Sequence, residues 1–179
     1  QEAVAQRLGE LCDGLAARPE PGRSGGMIGR LLKRRSDVPK LKGLYLWGEV
    51  GRGKTMLMDL FFEAAPVARK RRAHFTSFMA DVHARVHRTR QAIAAGEIKG
   101  DDPIPPVAAS IAEETELLCF DEFSVTDIAD AMILGRLFTR LFEQGVVLVA
   151  TSNVAPDDLY RNGLNRGHFL GFLDLLKTP

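Results

Sequence analysis

The sequence is poor in cysteine, in aromatic residues and in excess charge of either sign. Among 179 residues there are two cysteines, 7% aromatic residues and a formal net charge of +1. One cysteine, Cys119, stands in an apolar run typical of a buried strand, which argues against a disulfide framework and fits a reducing compartment. The near-neutral charge gives no overall sign of a nucleic-acid partner.

Long hydrophobic runs are also lacking. No apolar stretch approaches the ~20 residues that span a membrane as a helix, and no secretory signal is visible. The chain begins at Gln1 and ends in "LLKTP", which resembles a cut through a helix. We therefore expect the natural N-terminus to lie upstream and the C-terminal portion of the core to be missing. The length and the 45% hydrophobic content suit one domain with a substantial core.

Strand-like and helix-like patterns alternate along the chain. We predict strands at 43–47, 73–78, 117–120 and 146–150, and helices at 2–17, 27–35, 54–64, 79–95, 107–115 and 127–143. This alternation predicts an α/β fold with a parallel sheet, in which ligands bind at the carboxyl ends of the strands. We divide the chain into an N-terminal helical segment, 1–42, and a core, 43–179.

Three local details follow from the same patterns. In the helix at 54–64 we expect an inward face made of Met56, Leu57, Leu60 and Phe61. Ser124 with Asp127 resembles a capping box that opens the helix at 127–143. We place Trp47 in the core, with stacking on an adenine ring as the alternative.

A glycine-rich loop follows the first predicted strand of the core. The stretch "GEVGRGKT", 48–55, fits G-x-x-x-x-G-K-[ST] and opens a predicted helix, which is the context this motif requires. Its glycines allow a tight turn whose N–H groups face an anion, and the helix N-terminus adds partial positive charge. Lys54 can reach the β- and γ-phosphates of ATP, and the Thr55 hydroxyl can bind Mg²⁺. We assign as nucleotide-binding residues Gly48, Glu49, Val50, Gly51, Arg52, Gly53, Lys54, Thr55 and Met56.

Two adjacent carboxylates end the third predicted strand, in "LLCFDEF" at 117–123. Buried carboxylates without a partner are costly, so this pair should lie at an edge open to water or to a cation. We assign Asp121 to Mg²⁺, together with Thr55. We assign Glu122 as the general base that accepts a proton from the attacking water.

The tip of the fourth predicted strand reads "TSN", 151–153. One strand intervenes along the chain between the phosphate-loop strand and "LLCFDE". This suggests the branch of P-loop proteins with an added strand between the two motif strands. In such sheets the fourth tip lies near the γ-phosphate, so Asn153 could orient the attacking water or sense the γ-phosphate. The alternative is an ordinary turn or helix-cap residue.

Together these residues resemble an AAA+ ATPase. More specific stretches resemble the ZapE family of bacterial cell-division ATPases and their mitochondrial relatives: "GLYLWGEVGRGKTMLMDLFF", "FMADVHARVHR", "DDPIPPVA", "LLCFDEFSVTDIADAMILGRLF" and "TSNVAPDDLYRNGLNRGHFL". The match covers about residues 43–173. The resemblance implies Mg²⁺-dependent ATP hydrolysis, homo-oligomers and association with the division protein FtsZ, in the cytoplasm at the inner face of the membrane. It also implies a final core strand and a C-terminal region beyond residue 179.

The resemblance implies a role for one arginine. Arg166, in "GLNRGHF", matches the arginine that many AAA+ proteins place at the γ-phosphate of the neighbouring subunit. A guanidinium there would stabilise charge in the transition state. The alternative is a surface arginine that pairs with Asp157 or Asp158. Arg161 is the weaker second candidate.

Three other functions remain open. In a nucleic-acid-linked AAA+ module such as a helicase loader, the basic clusters at 33–35 and 69–72 would form a DNA track, although most such clusters are solvated faces. A small-molecule kinase would need an acceptor pocket and a lid, for which there is no motif. A nucleotide-gated binding module with little turnover would not need a general base, so Glu122 argues against it.

Overall fold

The computed structural model describes residues 2–18, 41, 43–49, 51, 53–163 and 166–177, and the side chains at 168 and 174–177 are excluded from the description. The expected helix at 27–35 and the basic cluster at 33–35 lie outside the described residues. The helices and strands are α1 (Glu2–Ala16), β1 (Leu44–Trp47), α2 (Lys54–Ala64), β2 (Lys70–His74), α3 (Phe75–Ala94), α4 (Ile104–Glu114), β3 (Leu117–Asp121), α5 (Ile128–Glu143), β4 (Val147–Ser152) and α6 (Arg166–Lys177), with a short 3₁₀ turn at Pro156–Asp158.

The described strands form one parallel sheet in the order β1-β4-β3-β2. β4 therefore lies between the strand before the glycine-rich loop and the strand that ends in the two acids. This confirms the predicted α/β fold with an added strand between the motif strands. The inserted strand is the last of the four along the chain, whereas β2 lies at the far edge of the sheet.

Helices cover both faces of the sheet. In β3, Leu117 and Cys119 pack with α1 and α2, while Leu118 and Phe120 pack in a second cluster that contains residues of α3, α4, α5 and α6. Because β3 and β4 are buried on both faces, their sequences are nearly continuous apolar runs. Burial also raises the pKa of the Cys119 thiol to about 12, so this cysteine stays protonated and inert.

The second strand is displaced from its predicted position. It runs over Lys70–His74, and Phe75 begins the following helix. The prediction of a strand at 73–78 was therefore wrong. Phe75 and Phe78 are spaced three residues apart, and both are buried on the inner face of α3. The basic residues form the strand instead, because their backbone pairs with β3 at the sheet edge.

The predicted inner face of α2 was right for two of its four residues. Phe61 is buried and Leu57 packs against the core, whereas Met56 and Leu60 are 60% and 59% exposed and Met58 is buried instead. The placement of Trp47 was wrong. Trp47, the last residue of β1, is 59% exposed rather than in the core.

The predicted capping box at the start of α5 was also wrong. The N-cap is Asp127, whose Oδ1 accepts a hydrogen bond from the Ala129 N–H at 2.6 Å. Ser124 lies three residues before this cap, so the predicted box with Ser124 as cap does not form.

Candidate functional site

The glycine-rich loop connects β1 to α2 at the carboxyl edge of the sheet. Gly51 and Gly53 adopt φ angles of 83° and 73°, a left-handed conformation that favours glycine. The Lys54 ammonium donates to the carbonyl oxygens of Gly48 and Glu49, at 2.7 Å in each case. The loop thus folds around its own lysine. Positions 50 and 52, predicted to contact nucleotide, lie outside the described residues.

An open groove of about 370 Å³ runs along this loop. The groove is lined by Gly51, Gly53, Lys54, Thr55, Met56, Glu122, Thr151, Ser152 and Asn153. A second cavity of about 330 Å³ contains Asp121, His74 and Thr76, and shares Glu122, Ser152 and Asn153 with the groove. The structure therefore brings most of the predicted site residues to one edge, with Glu122 and Asn153 on the wall between the two spaces.

Glu122 has an unusual backbone conformation. Its φ angle is 53°, in the left-handed region that non-glycine residues rarely adopt, which costs on the order of 1 kcal/mol. The next residue is held on both sides: the Phe123 N–H donates to Thr151 O at 2.7 Å, and Phe123 O accepts from the Ser152 hydroxyl at 2.6 Å. The tip of β4 therefore fixes the turn at Glu122, whose side chain is exposed to the groove.

Ser152 joins three strand ends. Besides donating to Phe123, its hydroxyl accepts from the Val154 N–H at 3.0 Å. The Tyr45 hydroxyl of β1 donates to Val154 O at 2.8 Å, and burial raises the pKa of Tyr45 to about 12. These bonds enclose Asn153 between two fixed neighbours. Sequence reasoning missed Ser152, although a serine that ends an otherwise apolar strand was a visible signal.

Both carboxylate oxygens of Asp121 accept hydrogen bonds from Arg72. Its Oδ2 accepts from Arg72 Nε at 2.7 Å and its Oδ1 from a terminal nitrogen of Arg72 at 3.1 Å. Arg72 also forms an ion pair with Asp59 of α2. The hydrogen bond to Asp121 raises the pKa of Arg72 above its ordinary value, so the guanidinium remains charged. Sequence reasoning gave Arg72 no role, because nothing local distinguishes it from its basic neighbours.

The other members of the basic cluster at 69–72 also have partners within the chain. Arg69 pairs with Glu116 at 3.0 Å, and Arg71 pairs with Asp81 at 2.9 Å. Lys70 donates to backbone carbonyls at the end of α2, among them Phe62 O at 2.6 Å. Since these cations are engaged, the cluster offers little free charge for a DNA track.

Arg166 lies apart from the groove. It begins α6, and one terminal nitrogen donates to the backbone carbonyl of Asp157 at 2.7 Å. Its Nε is buried and has no hydrogen-bond partner among the described residues. Arg161 pairs with the Asp158 carboxylate at 2.9 Å. Neither arginine is among the described residues that line the groove of its own chain.

The residues present fit a magnesium ion that is held mainly by phosphates. Within the described part of the chain, no group of three or more histidine, cysteine or acidic side chains could enclose a metal. Mg²⁺ is usually bound by one or two carboxylates together with substrate phosphates and water, rather than by a cage of protein ligands. Thr55 in the groove and Asp121 in the adjoining cavity are the donors available for such an ion.

Strand order, glycine-rich loop and paired acids together define an AAA+ P-loop ATPase domain. The chain matches the model of the AFG1-like ATPase family over residues 1–179 and belongs to that family. This confirms the resemblance drawn from its motifs.

Two curated relatives are similar over most of this chain. Lactation elevated protein 1 homolog B of Danio rerio is 55% identical over 139 residues, which cover 76% of this chain and 28% of that protein. Cell division protein ZapE of Escherichia coli K12 is 48% identical over 164 residues, covering 89% of this chain and 41% of ZapE. The chain thus spans less than half the length of either relative.

One solved structure supports the fold. A crystal structure from Streptococcus pyogenes serotype M3, of a protein named as a primosome component, superposes with a TM-score of 0.50 and 20% identity. The similarity covers 97% of this chain and 75% of that one. At this identity the comparison supports the architecture alone. In the residues described, no helix is both long and apolar enough to span a membrane.

Proposed function

We propose that this chain is the nucleotide-hydrolysing core of a Mg²⁺-dependent ATPase. The observation that carries the proposal is the groove with Lys54 and Thr55 on one wall and Glu122 and Asn153 on the other. Phosphate recognition at a loop needs backbone donors and a cation, and hydrolysis needs a base within reach of the same phosphate.

In this proposal Lys54 leaves the carbonyl oxygens of Gly48 and Glu49 and donates to the β- and γ-phosphate oxygens. Thr55 and Asp121 would hold Mg²⁺, which when bound shields phosphate charge. Glu122 accepts the proton of the attacking water, and Asn153 orients that water. Family membership, the match of "GEVGRGKT" and the shared groove support these roles.

We further propose that Arg166 acts in a neighbouring subunit of a homo-oligomer. In its own chain it lies outside the described lining of the groove, and one of its terminal nitrogens donates to the backbone carbonyl of Asp157. A guanidinium in this position can leave that carbonyl for a phosphate at low cost.

The cellular role is proposed from similarity. The relative with 48% identity carries the name of a cell division protein. We propose that this chain acts on the division machinery, with the FtsZ ring as its partner, in the cytoplasm at the inner face of the membrane. If the protein does not co-sediment with FtsZ filaments in the presence of ATP, the proposed partnership with FtsZ is refuted.

The test of the enzymatic proposal uses the full-length protein with two variants. Lys54→Ala should abolish binding of a fluorescent ATP analogue, because the loop loses the ammonium group that would bind the phosphates. Glu122→Gln should bind the analogue and release phosphate at least ~100-fold more slowly, because an amide cannot accept the proton. Lys99→Ala, in an exposed turn remote from the groove, is the matched control.

Equal affinity in Lys54→Ala and wild type would refute the assignment of the loop. Unchanged turnover in Glu122→Gln would refute the assigned base. Phosphate release equal to ADP formation, with water as acceptor, distinguishes the ATPase from a kinase that transfers phosphate to a small molecule.

A further inference from the structure

Arg72 connects two elements that carry the site. It stands on β2, and its guanidinium bonds both oxygens of Asp121 at the end of β3. The same guanidinium pairs with Asp59 of α2, four residues after Thr55. One side chain therefore holds the acid strand to the helix that follows the glycine-rich loop.

The pleat of β2 explains why Arg72 alone in the cluster reaches the site. Side chains alternate across a strand, so Lys70 and Arg72 point to the α2 side and Arg71 to the opposite side. Arg72 is paired in register with Cys119, and its long side chain extends two residues further to Asp121. Arg71 contacts Asp81 of α3 instead.

This contact differs from an ordinary surface ion pair. The Arg72 and Asp121 side chains are only 24% and 18% exposed, and the guanidinium binds the carboxylate through two nitrogens. A planar fork of this kind fixes the orientation of a carboxylate, which a lysine ammonium cannot do. A carboxylate has about four lone-pair sites, so two remain for further ligands.

We propose that Arg72 is a positioning residue that orients Asp121 for the metal-nucleotide complex and fixes the spacing between β3 and α2. The inference rests on the proposed function. Without Arg72, the Asp121 carboxylate loses both hydrogen bonds and faces Asp59 with no cation between them, so its orientation in the cavity beside the groove is no longer fixed.

The test measures metal dependence of nucleotide binding in the full-length protein. The affinity for a fluorescent ATP analogue is determined with Mg²⁺ and with EDTA, for wild type, Arg72→Gln, Arg72→Lys and the matched control Arg71→Gln. The gain in affinity on adding Mg²⁺ should fall by ~10-fold or more in both Arg72 variants, as expected when the partner of a metal-binding carboxylate is removed. Affinity in EDTA should stay unchanged, and Arg71→Gln should behave as wild type.

Several outcomes would overturn the inference. A Mg²⁺-dependent gain as large as that of wild type in Arg72→Gln excludes positioning. Equal losses with and without Mg²⁺ indicate a purely structural role, and full rescue by Arg72→Lys shows that charge alone suffices. If wild type binds no nucleotide under any condition, the proposed function itself fails, and the inference with it.

Thermal unfolding of each variant accompanies the binding measurement. If Arg72 variants do not fold, Asp59→Ala provides the test, because it removes the acceptor on α2 and leaves both bonds to Asp121. It should reduce the Mg²⁺-dependent gain by a smaller factor than expected for the arginine variants. A gain equal to that of wild type in Asp59→Ala would overturn the proposed link between β3 and α2.

Discussion

The hydroxyl of Ser152 holds two backbone segments of the site in place. Its side chain is buried, and the residue is 1% exposed. Its hydroxyl both donates to Phe123 O and accepts from Val154 N–H. Those two bonds fix the residue after Glu122 and the residue after Asn153. The strained backbone at Glu122 persists because this neighbour over-determines it.

We predict that Ser152→Ala destabilises the protein and slows hydrolysis. Removal of the hydroxyl leaves two buried backbone groups without their partner, which costs about 1–3 kcal/mol. Phosphate release should slow while nucleotide affinity is retained, because the phosphate loop keeps its own bonds. Urea unfolding and steady-state kinetics measure the two effects.

Thr151→Val is the matched control for Ser152→Ala. Its hydroxyl makes one long bond, 3.4 Å to Phe120 O, and valine has nearly the same shape. A loss of turnover in Thr151→Val as large as that in Ser152→Ala would contradict a specific role for the Ser152 hydroxyl.

At the scale of single elements, the start of α5 depends on one carboxylate. Asp127 has an extended backbone and accepts a hydrogen bond in the first turn of the helix. Removing such a cap costs ~1 kcal/mol. We therefore predict that Asp127→Ala lowers the free energy of unfolding by about this amount, measured by urea denaturation.

Ser124→Ala separates the observed cap from the predicted one. Ser124 is exposed and lies before the cap, so its replacement should change stability by less than ~0.5 kcal/mol. The reverse order of effects, with Ser124→Ala the more damaging, would show that the helix begins earlier than the structure places it.

The elements differ in how far the sequence determines them. β3 and β4 were predicted because burial on both faces leaves a continuous apolar run. β2 was misplaced, since its charged residues Arg71 and Arg72 are stabilised by Asp81 and Asp121, which lie outside the strand itself. No local sequence pattern identifies these acidic partners.

The residues of the site likewise differ in how far the sequence predicts their roles. Its glycine-rich loop and paired acids follow from a motif with a fixed spacing, because the chemistry demands those residue types. The roles of Arg72 and Ser152 arise only after strands distant in sequence are brought side by side. The exposure of Met56 shows a similar limit, because helix periodicity alone does not say which side of α2 meets the sheet.

For the whole molecule, the open question is whether the site is completed between subunits. If Arg166 acts in a neighbour, phosphate release per protomer should rise with protein concentration as oligomers form. Arg166→Ala should retain nucleotide binding and lose most hydrolysis. Arg161→Ala, which removes an exposed pair with Asp158, is the control.

Mixing two inactive variants tests whether the site is shared between subunits. Subunits with Arg166→Ala, combined with subunits carrying Glu122→Gln, should recover part of the activity, because a mixed interface restores one intact site. No recovery where mixed oligomers demonstrably form would argue that Arg166 acts within its own chain, where it donates to the Asp157 carbonyl.

The two walls of the groove differ in how tightly the residues behind them are packed. Phe123, next to Glu122, contacts the rings of Phe75, Phe172 and Tyr45 with centroids 4.4, 5.8 and 5.9 Å apart. The helix on the other wall, α2, buries few residues and leaves large apolar side chains in solvent. Resistance to displacement is therefore greatest behind the acid and least behind the phosphate loop.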